Sequence, residues 1–130
     1  MKKFLATLSL LALAACSTIP KAAQLNNYEA DFKTVFQAAL SSLKEQRFTV
    51  KNYDWNSGEI DAYLRFEVGS QKKEVLTTIF LEQNGAKTKV LMKNLKSENS
   101  APVTSAEYKD LESGFFESLN RTLKQEGKTR

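Results

Sequence analysis

The chain has 130 residues, of which 42% are hydrophobic, and its 19 basic and 15 acidic residues give a formal net charge of +4. This length suffices for one domain with a single core. The chain has no histidine and one cysteine, which excludes serine–histidine and cysteine–histidine catalysis and zinc sites built from those ligands. We therefore predict that the protein is not an enzyme and that it has no cofactor or metal site.

The first sixteen residues have the pattern of a secretory signal. Lys2 and Lys3 give a positive start, residues 4–15 are apolar and uncharged, and small residues precede Cys16. The apolar run is too short for a membrane-spanning helix, which needs about 20 residues. The final residues, Leu-Ala-Ala-Cys, resemble the lipobox of bacterial lipoproteins. This resemblance implies cleavage before Cys16 and attachment of lipid to its sulfur and amine.

An ordinary signal cleavage site at residues 12–14 is the alternative, and it would leave Cys16 as a free thiol. The lipobox explains both the presence and the position of the single cysteine. We therefore predict a lipoprotein signal peptide at residues 1–15, then a lipidated cysteine and tether at residues 16–25. In this class of lipoprotein, Ser17 in place of aspartate implies a Gram-negative outer membrane and a domain that faces the periplasm.

Residues 26–130 are predicted to form a single α+β domain that begins and ends with a helix. The first helix is predicted to start at Asn26, with Glu29 completing its cap. Its apolar stripe comprises Tyr28, Phe32, Val35, Phe36, Ala39, Leu40 and Leu43. The last helix is predicted from about Ser105 to Glu126. Thr104 and Glu107 are predicted to form its capping box, and Gly127 to end it.

Between the helices, alternating apolar residues predict a four-stranded antiparallel meander. Asn84-Gly85 favours a type I′ hairpin that sets Leu81 against Thr88. A four-residue loop after Val68 sets Val75 against Phe66. A three-residue loop after the first strand, at about residues 48–54, places Phe48 and Val50 on the core face. Both helices then cover one face of the sheet, giving two layers.

The face without helices carries the candidate binding residues. The pattern places there Lys51, Tyr53, Tyr63, Arg65, Leu76, Thr78, Phe80, Lys87, Lys89, Leu91 and Lys93. We predict partner binding by Tyr53, Tyr63, Arg65, Phe80, Lys89 and Leu91, because aromatic rings supply contact area and basic groups steer anionic partners. A solvated face is the alternative. Nucleic acid is excluded as a partner by the secretory signal and by the charge of +2 (17 basic, 15 acidic residues) left after its removal.

A family resemblance covers residues 28–68, about the first half of the mature chain. The segments Arg-Phe-Thr-Val at residues 47–50 and Gly-Glu-Ile-Asp-Ala at residues 58–62 follow the amphipathic helix. This pattern resembles the helix-grip repeat of the accessory C lipoprotein of the outer-membrane β-barrel assembly machine, and of small lipoproteins sharing that fold. The resemblance implies the fold and an envelope role.

Two functions follow as hypotheses. The first is a non-catalytic outer-membrane lipoprotein that serves as a protein-binding or accessory module, with the membrane as one partner and another envelope protein as a candidate second. The alternative is a carrier of a small apolar ligand or lipid between sheet and helices. The cavity for such a ligand would be lined by Phe36, Leu40, Phe66, Met92, Phe115 and Leu119. A contiguous apolar cavity would favour the carrier, and a filled core with an open aromatic sheet face would favour protein binding.

Overall fold

The computed structural model describes the backbone of residues 23–129 and the side chains of residues 26–125. Its elements are β1 (Ala23–Tyr28), α1 (Phe32–Glu45), β2 (Thr49–Asp54), β3 (Glu59–Val68), β4 (Gln71–Asn84), β5 (Lys87–Lys96) and α2 (Ser105–Thr129). All strand pairs are antiparallel, in the order β1-β5-β4-β3-β2. The α+β prediction is confirmed, but the sheet has five strands, not four. The predicted signal peptide, Cys16 and most of the tether lie outside the described residues.

The additional strand, β1, occupies residues that were predicted as tether and helix start. It runs along the outside of β5, with Ala23 opposite Lys93 and Tyr28 opposite Thr88. A short edge strand needs only backbone pairing, so its polar sequence Gln-Leu-Asn-Asn gave no alternation to recognise. The first helix therefore does not start at Asn26. Asp31 caps α1 instead, and its Oδ1 accepts the Thr34 N–H at 2.9 Å.

Both long hairpins have two-residue turns, at Gly69-Ser70 and at Gly85-Ala86. The predicted pairings were displaced by two residues, since Leu81 lies opposite Val90 and Val75 opposite Leu64. A displacement by an even number keeps every side chain on its predicted face. At the second turn only the glycine has positive φ, at 67°. This is the pattern of a type II′ turn, not the predicted type I′.

Strand β2 reaches the predicted core arrangement by a different route. Its loop to β3 has four residues, 55–58, not three. A β-bulge then compensates: Val50 lies opposite Ala62 and Asn52 opposite Asp61, which leaves Lys51 as the extra residue. Val50 consequently packs against the core as predicted. Beyond the bulge, however, the alternation is reversed relative to the prediction.

The core lies between the two helices and the sheet face that they cover. Its buried side chains include Val35, Phe36, Leu43, Ile60, Ile79, Met92, Phe115, Phe116 and Leu119. The predicted capping box of α2 is confirmed. The Thr104 N–H donates to Glu107 Oε1 at 2.8 Å, and the Glu107 N–H donates to Thr104 Oγ1 at 3.1 Å. The helix continues past Gly127 to Thr129, because a glycine costs a helix only about 1 kcal/mol.

Candidate protein-binding surface

The sheet face turned away from the helices, called the open face below, has an exposed apolar centre. Three neighbouring rows cross β3, β4 and β5: Tyr63, Leu76 and Leu95; Asp61, Thr78 and Lys93; and Glu59, Phe80 and Leu91. Leu76 is 40% exposed, Leu95 is 49% exposed and Phe80 is 37% exposed. Apolar side chains thus flank a polar middle row. Such a cluster on one flat face differs from the isolated exposed apolar residues of ordinary surfaces.

Charge is distributed unevenly across the open face. On β5 the charged side chains of this face are all basic: Lys87, Lys89 and Lys93. On the opposite side, Asp54 of β2 lies across from Glu59 of β3, and Asp61 follows in the next row. The nearby charge of Asp61, followed by burial, a hydrogen bond to Asp61 and the charge of Asp54, raises the pKa of Glu59 above its usual value. The open face is therefore basic along β5 and acidic around Asp54, Glu59 and Asp61, while Arg65 lies further along β3.

Only part of this charge is neutralised within the molecule. Lys89 Nζ lies 3.8 Å from Glu82 Oε1, and Lys87 Nζ lies 3.9 Å from Glu29 Oε2. Within the described residues, Lys93 and Asp61 take part in no ion pair with an N–O distance of 4.0 Å or less. They lie on either side of Thr78, two strand spacings or about 10 Å apart. Both remain available to an oppositely charged partner.

Arg65 borders the apolar centre. Its guanidinium carbon lies 4.7 Å from the centre of the Tyr63 ring. Its Nε donates to Glu74 Oε2 at 2.7 Å. Hydrogen bonds from Ser97 and Arg65 lower the pKa of the Glu74 carboxyl. Because the Arg65 side chain is largely exposed, this network orders the rim of the face and contributes little to stability.

Five of the six predicted binding residues lie together on the open face: Tyr63, Arg65, Phe80, Lys89 and Leu91. The predicted placement of Tyr53 on that face is wrong. Tyr53 lies opposite Ile60 on the side of the helices, because the bulge at Lys51 reverses the alternation. The prediction also missed Leu95, which lies four residues after Leu91 and therefore on the same face of β5.

Tyr53 belongs instead to an aromatic cluster at the start of α1. The Trp55 ring stacks on the fully buried Phe36 with centroids 4.2 Å apart, and Tyr53 meets Phe36 edge-on at 5.9 Å. Tyr53 remains 50% exposed and Trp55 40% exposed. Beside them, a surface cavity of about 460 Å³ is lined partly by Phe32 and Gln83. The sequence had shown Trp55 only as a turn residue, since its contact partner lies on a distant helix.

Five of the six residues predicted to line a carrier's cavity lie in the packed core or at its edge, whereas Phe66 is half-buried outside it, beside a surface cavity. Phe36, Met92, Phe115 and Leu119 have no accessible surface, so no void of the size of a water molecule touches them. Leu40 is partly buried at the edge of the same core. Within residues 26–125, no three acidic side chains are grouped as a metal site would require. Over the same described part, neither helix has a segment long and apolar enough to cross a bilayer.

No family model and no curated protein matches the sequence. Among solved structures, the chain is similar to Ara h 8.0201, with 10% identity over 78% of this chain and 96% of that chain and a TM-score of 0.45. It is also similar to TTHA0849 from Thermus thermophilus, with 14% identity over 79% and 93% and a TM-score of 0.38. A TBP-like protein from Parabacteroides distasonis shares 12% identity over 75% and 92%, with a TM-score of 0.42. These similarities assign no activity to the chain.

Proposed function

We propose that this protein is a non-catalytic lipoprotein of the outer membrane, anchored through Cys16, that binds protein through its open face at the membrane surface. The observation that carries the binding role is the exposed apolar centre formed by Leu76, Phe80 and Leu95. A buried apolar centre with a charged rim is the usual anatomy of a specific protein interface. The complementary partner has an apolar centre bordered by acidic groups on one side and basic groups on the other.

The lipoprotein part rests on the sequence alone. The lipobox-like residues that end at Cys16 support the anchor, and the resemblance of residues 28–68 to an envelope lipoprotein supports the compartment. The structure adds a geometric consequence. Because β1 begins at Ala23, only six residues separate it from Cys16, and these span at most about 25 Å. An anchored domain would stay against the membrane.

The end of the domain that faces the membrane follows from the direction of β1. Ala23 pairs with Lys93, close to where β5 leaves the sheet at Lys96. The turn between β3 and β4 lies at this same end. The strands then run away from the membrane, and the open face is parallel to the membrane normal. In that orientation it is accessible to other proteins of the same membrane.

Photocrosslinking in intact cells tests the binding role. A photoreactive residue at Phe80 or Leu76 is expected to give a protein adduct, whereas one at the exposed Gln37 of α1 is not. Leu76→Asp should reduce the adduct at Phe80 by at least about tenfold, because it places a charge in the apolar centre. Equal adducts from Gln37, or no adduct from either sheet position, would refute binding through the open face.

Membrane attachment is tested separately. Cys16→Ser should leave the signal uncleaved or release the domain from washed membranes. Mass spectrometry of the wild-type protein should find a lipidated amino terminus at Cys16. An unmodified chain that starts near residue 15 and stays soluble would refute the anchor without touching the binding role.

A further inference from the structure

We infer that the open face binds the open face of a second copy of this chain, about a twofold axis that runs parallel to the strands along β4. The inference rests on the proposed protein-binding role and identifies the partner. It is carried by the opposite charges at Lys93 and Asp61, which lie in one row on either side of Thr78.

A twofold axis parallel to the strands places β5 of one copy over β3 of the other and keeps each row of residues over the same row of the second copy. Lys93 on β5 of one copy then lies over Asp61 on β3 of the other, and the symmetry repeats this contact. Thr78 lies near its own equivalent, and Phe80 and Leu76 meet their equivalents in the apolar centre. Two ion pairs therefore form between apolar contacts at Leu76 and Phe80. The axis also brings Glu74 and Glu82 of β4 near their equivalents, but each has a cation of its own copy beside it, Arg65 at 2.7 Å and Lys89 at 3.8 Å.

A twofold axis that runs across the strands through the same row is disfavoured by charge. It keeps β5 over β5, so Lys93 would lie over Lys93 of the second copy and Asp61 over its own equivalent. Like charges opposed in an interface disfavour association. The charge distribution therefore favours the axis parallel to the strands over the axis across them.

The selected axis also fits the anchors. Because it preserves the direction of the strands, the first residues of β1 in both copies leave the dimer at the same end. Two lipidated cysteines could then insert into one leaflet. The rejected axis would send the two tethers in opposite directions, which a single membrane cannot accommodate with tethers of six residues.

The size of the open face is adequate for a dimer. Strands of 6, 6, 10, 14 and 10 residues, at 4.8 Å spacing and 3.3 Å rise, give roughly 700 Å² per copy. A standard specific interface buries about 800 Å² per partner. Stacked sheets lie about 10 Å apart, so the side chains of the central rows can interdigitate.

The test uses the mature lipidated protein in phospholipid vesicles with a bifunctional thiol reagent whose spacer is about 10 Å long, matched to the spacing of stacked sheets. Thr78→Cys places a thiol near the axis, and a covalent dimer of twice the monomer mass is expected. Ser41→Cys, exposed on α1, is the matched control and should give little dimer. The wild-type protein checks that Cys16 itself does not react.

Charge variants on the Thr78→Cys background then test the arrangement. Lys93→Asp alone and Asp61→Lys alone should each lower dimer yield at least about tenfold. The double exchange, which restores opposite charges, should recover it. Equal yields from all four proteins, or from the Ser41→Cys control, would overturn the inference.

The photocrosslinking above separates this inference from the proposed function. An adduct at Phe80 of a mass other than the dimer's, with no Thr78→Cys dimer, overturns the second copy as partner and leaves protein binding standing. Loss of both adducts overturns both. A dimer at Thr78 together with recovery in the double exchange supports both.

Discussion

Replacing Gly58 by alanine should destabilise the protein far more than the same change at other glycines with positive φ. Gly58 has φ of 76°, which costs a residue with a Cβ about 1–2 kcal/mol. An added Cβ would also clash with the backbone oxygen of Leu81, at a separation of 2.2 Å. The two segments would have to move apart to relieve this clash. That movement would break the hydrogen bond from the Leu81 N–H to the Gly58 oxygen, which is 2.7 Å long.

A buried backbone group left without its hydrogen bond costs about 1–3 kcal/mol. Together with the backbone strain, Gly58→Ala is expected to cost about 2–5 kcal/mol, a large part of the roughly 5–15 kcal/mol typical of a domain. Gly85 is the matched control. Its φ is 67°, but nothing lies within 4 Å of an added Cβ, so only the strain of about 1–2 kcal/mol applies.

Urea unfolding followed by circular dichroism measures both variants. Tryptophan fluorescence adds a local signal, because Trp55, the only tryptophan of the chain, lies three residues from Gly58 and stacks on Phe36. If Gly58→Ala lost no more stability than Gly85→Ala, the close approach to Leu81 would have no energetic importance. An unchanged fluorescence spectrum would likewise contradict a displaced loop.

Three further predictions concern the helices. Gly114→Ala should raise stability by up to about 1 kcal/mol in urea unfolding, because its Cβ meets only the movable end of the Gln46 side chain. Burial raises the pKa of Glu112, because the charged carboxylate is disfavoured in the folded protein. The resulting loss of stability is absent below pH 4.5 and grows as the pH rises through the higher folded-state pKa. Glu112→Gln should therefore raise Tm at about pH 7 but not at about pH 4. Lys73 Nζ donates to both oxygens of Glu107 at 2.7 and 2.8 Å, and this contact lowers the Glu107 pKa, so the pair's contribution is complete above pH 4.5 and is lost as the pH falls through the lowered pKa. Lys73→Met should lower Tm at about pH 7, because it leaves the Glu107 carboxylate without its partner, and its difference from wild type should shrink in acid, as thermal unfolding at both pH values would show.

The sequence was informative wherever one face of an element is buried. Alternation along residues 60–68 placed β3 on its correct face, and the capping residues located the start of α2 to the residue. The apolar pattern determines which face each side chain is on but not which residues pair. The predicted pairings of both hairpins therefore differ by two residues from the observed ones, which are set by the two-residue turns that begin at Gly69 and Gly85. Turn geometry depends on local backbone energies that side-chain polarity does not report.

The elements that the sequence did not predict are those determined by contacts between distant segments. Strand β1 is held by backbone pairing to β5, for which its side chains carry no signal. The bulge at Lys51 reconciles a four-residue loop with a core position for Val50, and only the neighbouring strand reveals it. The same bulge changes the membership of the candidate site, because it places Tyr53 beside Phe36 and not on the open face as predicted.

The short link between β1 and Cys16 has a kinetic meaning for an anchored protein. If Cys16 is anchored, a link of at most about 25 Å would confine the domain to a thin layer above the bilayer, and encounters would occur by lateral diffusion in two dimensions. Confinement raises the local concentration of any membrane-bound partner well above its average in the compartment. A weak contact through a modest, partly polar surface could then be occupied at the membrane while staying undetectable between the same domains in dilute solution.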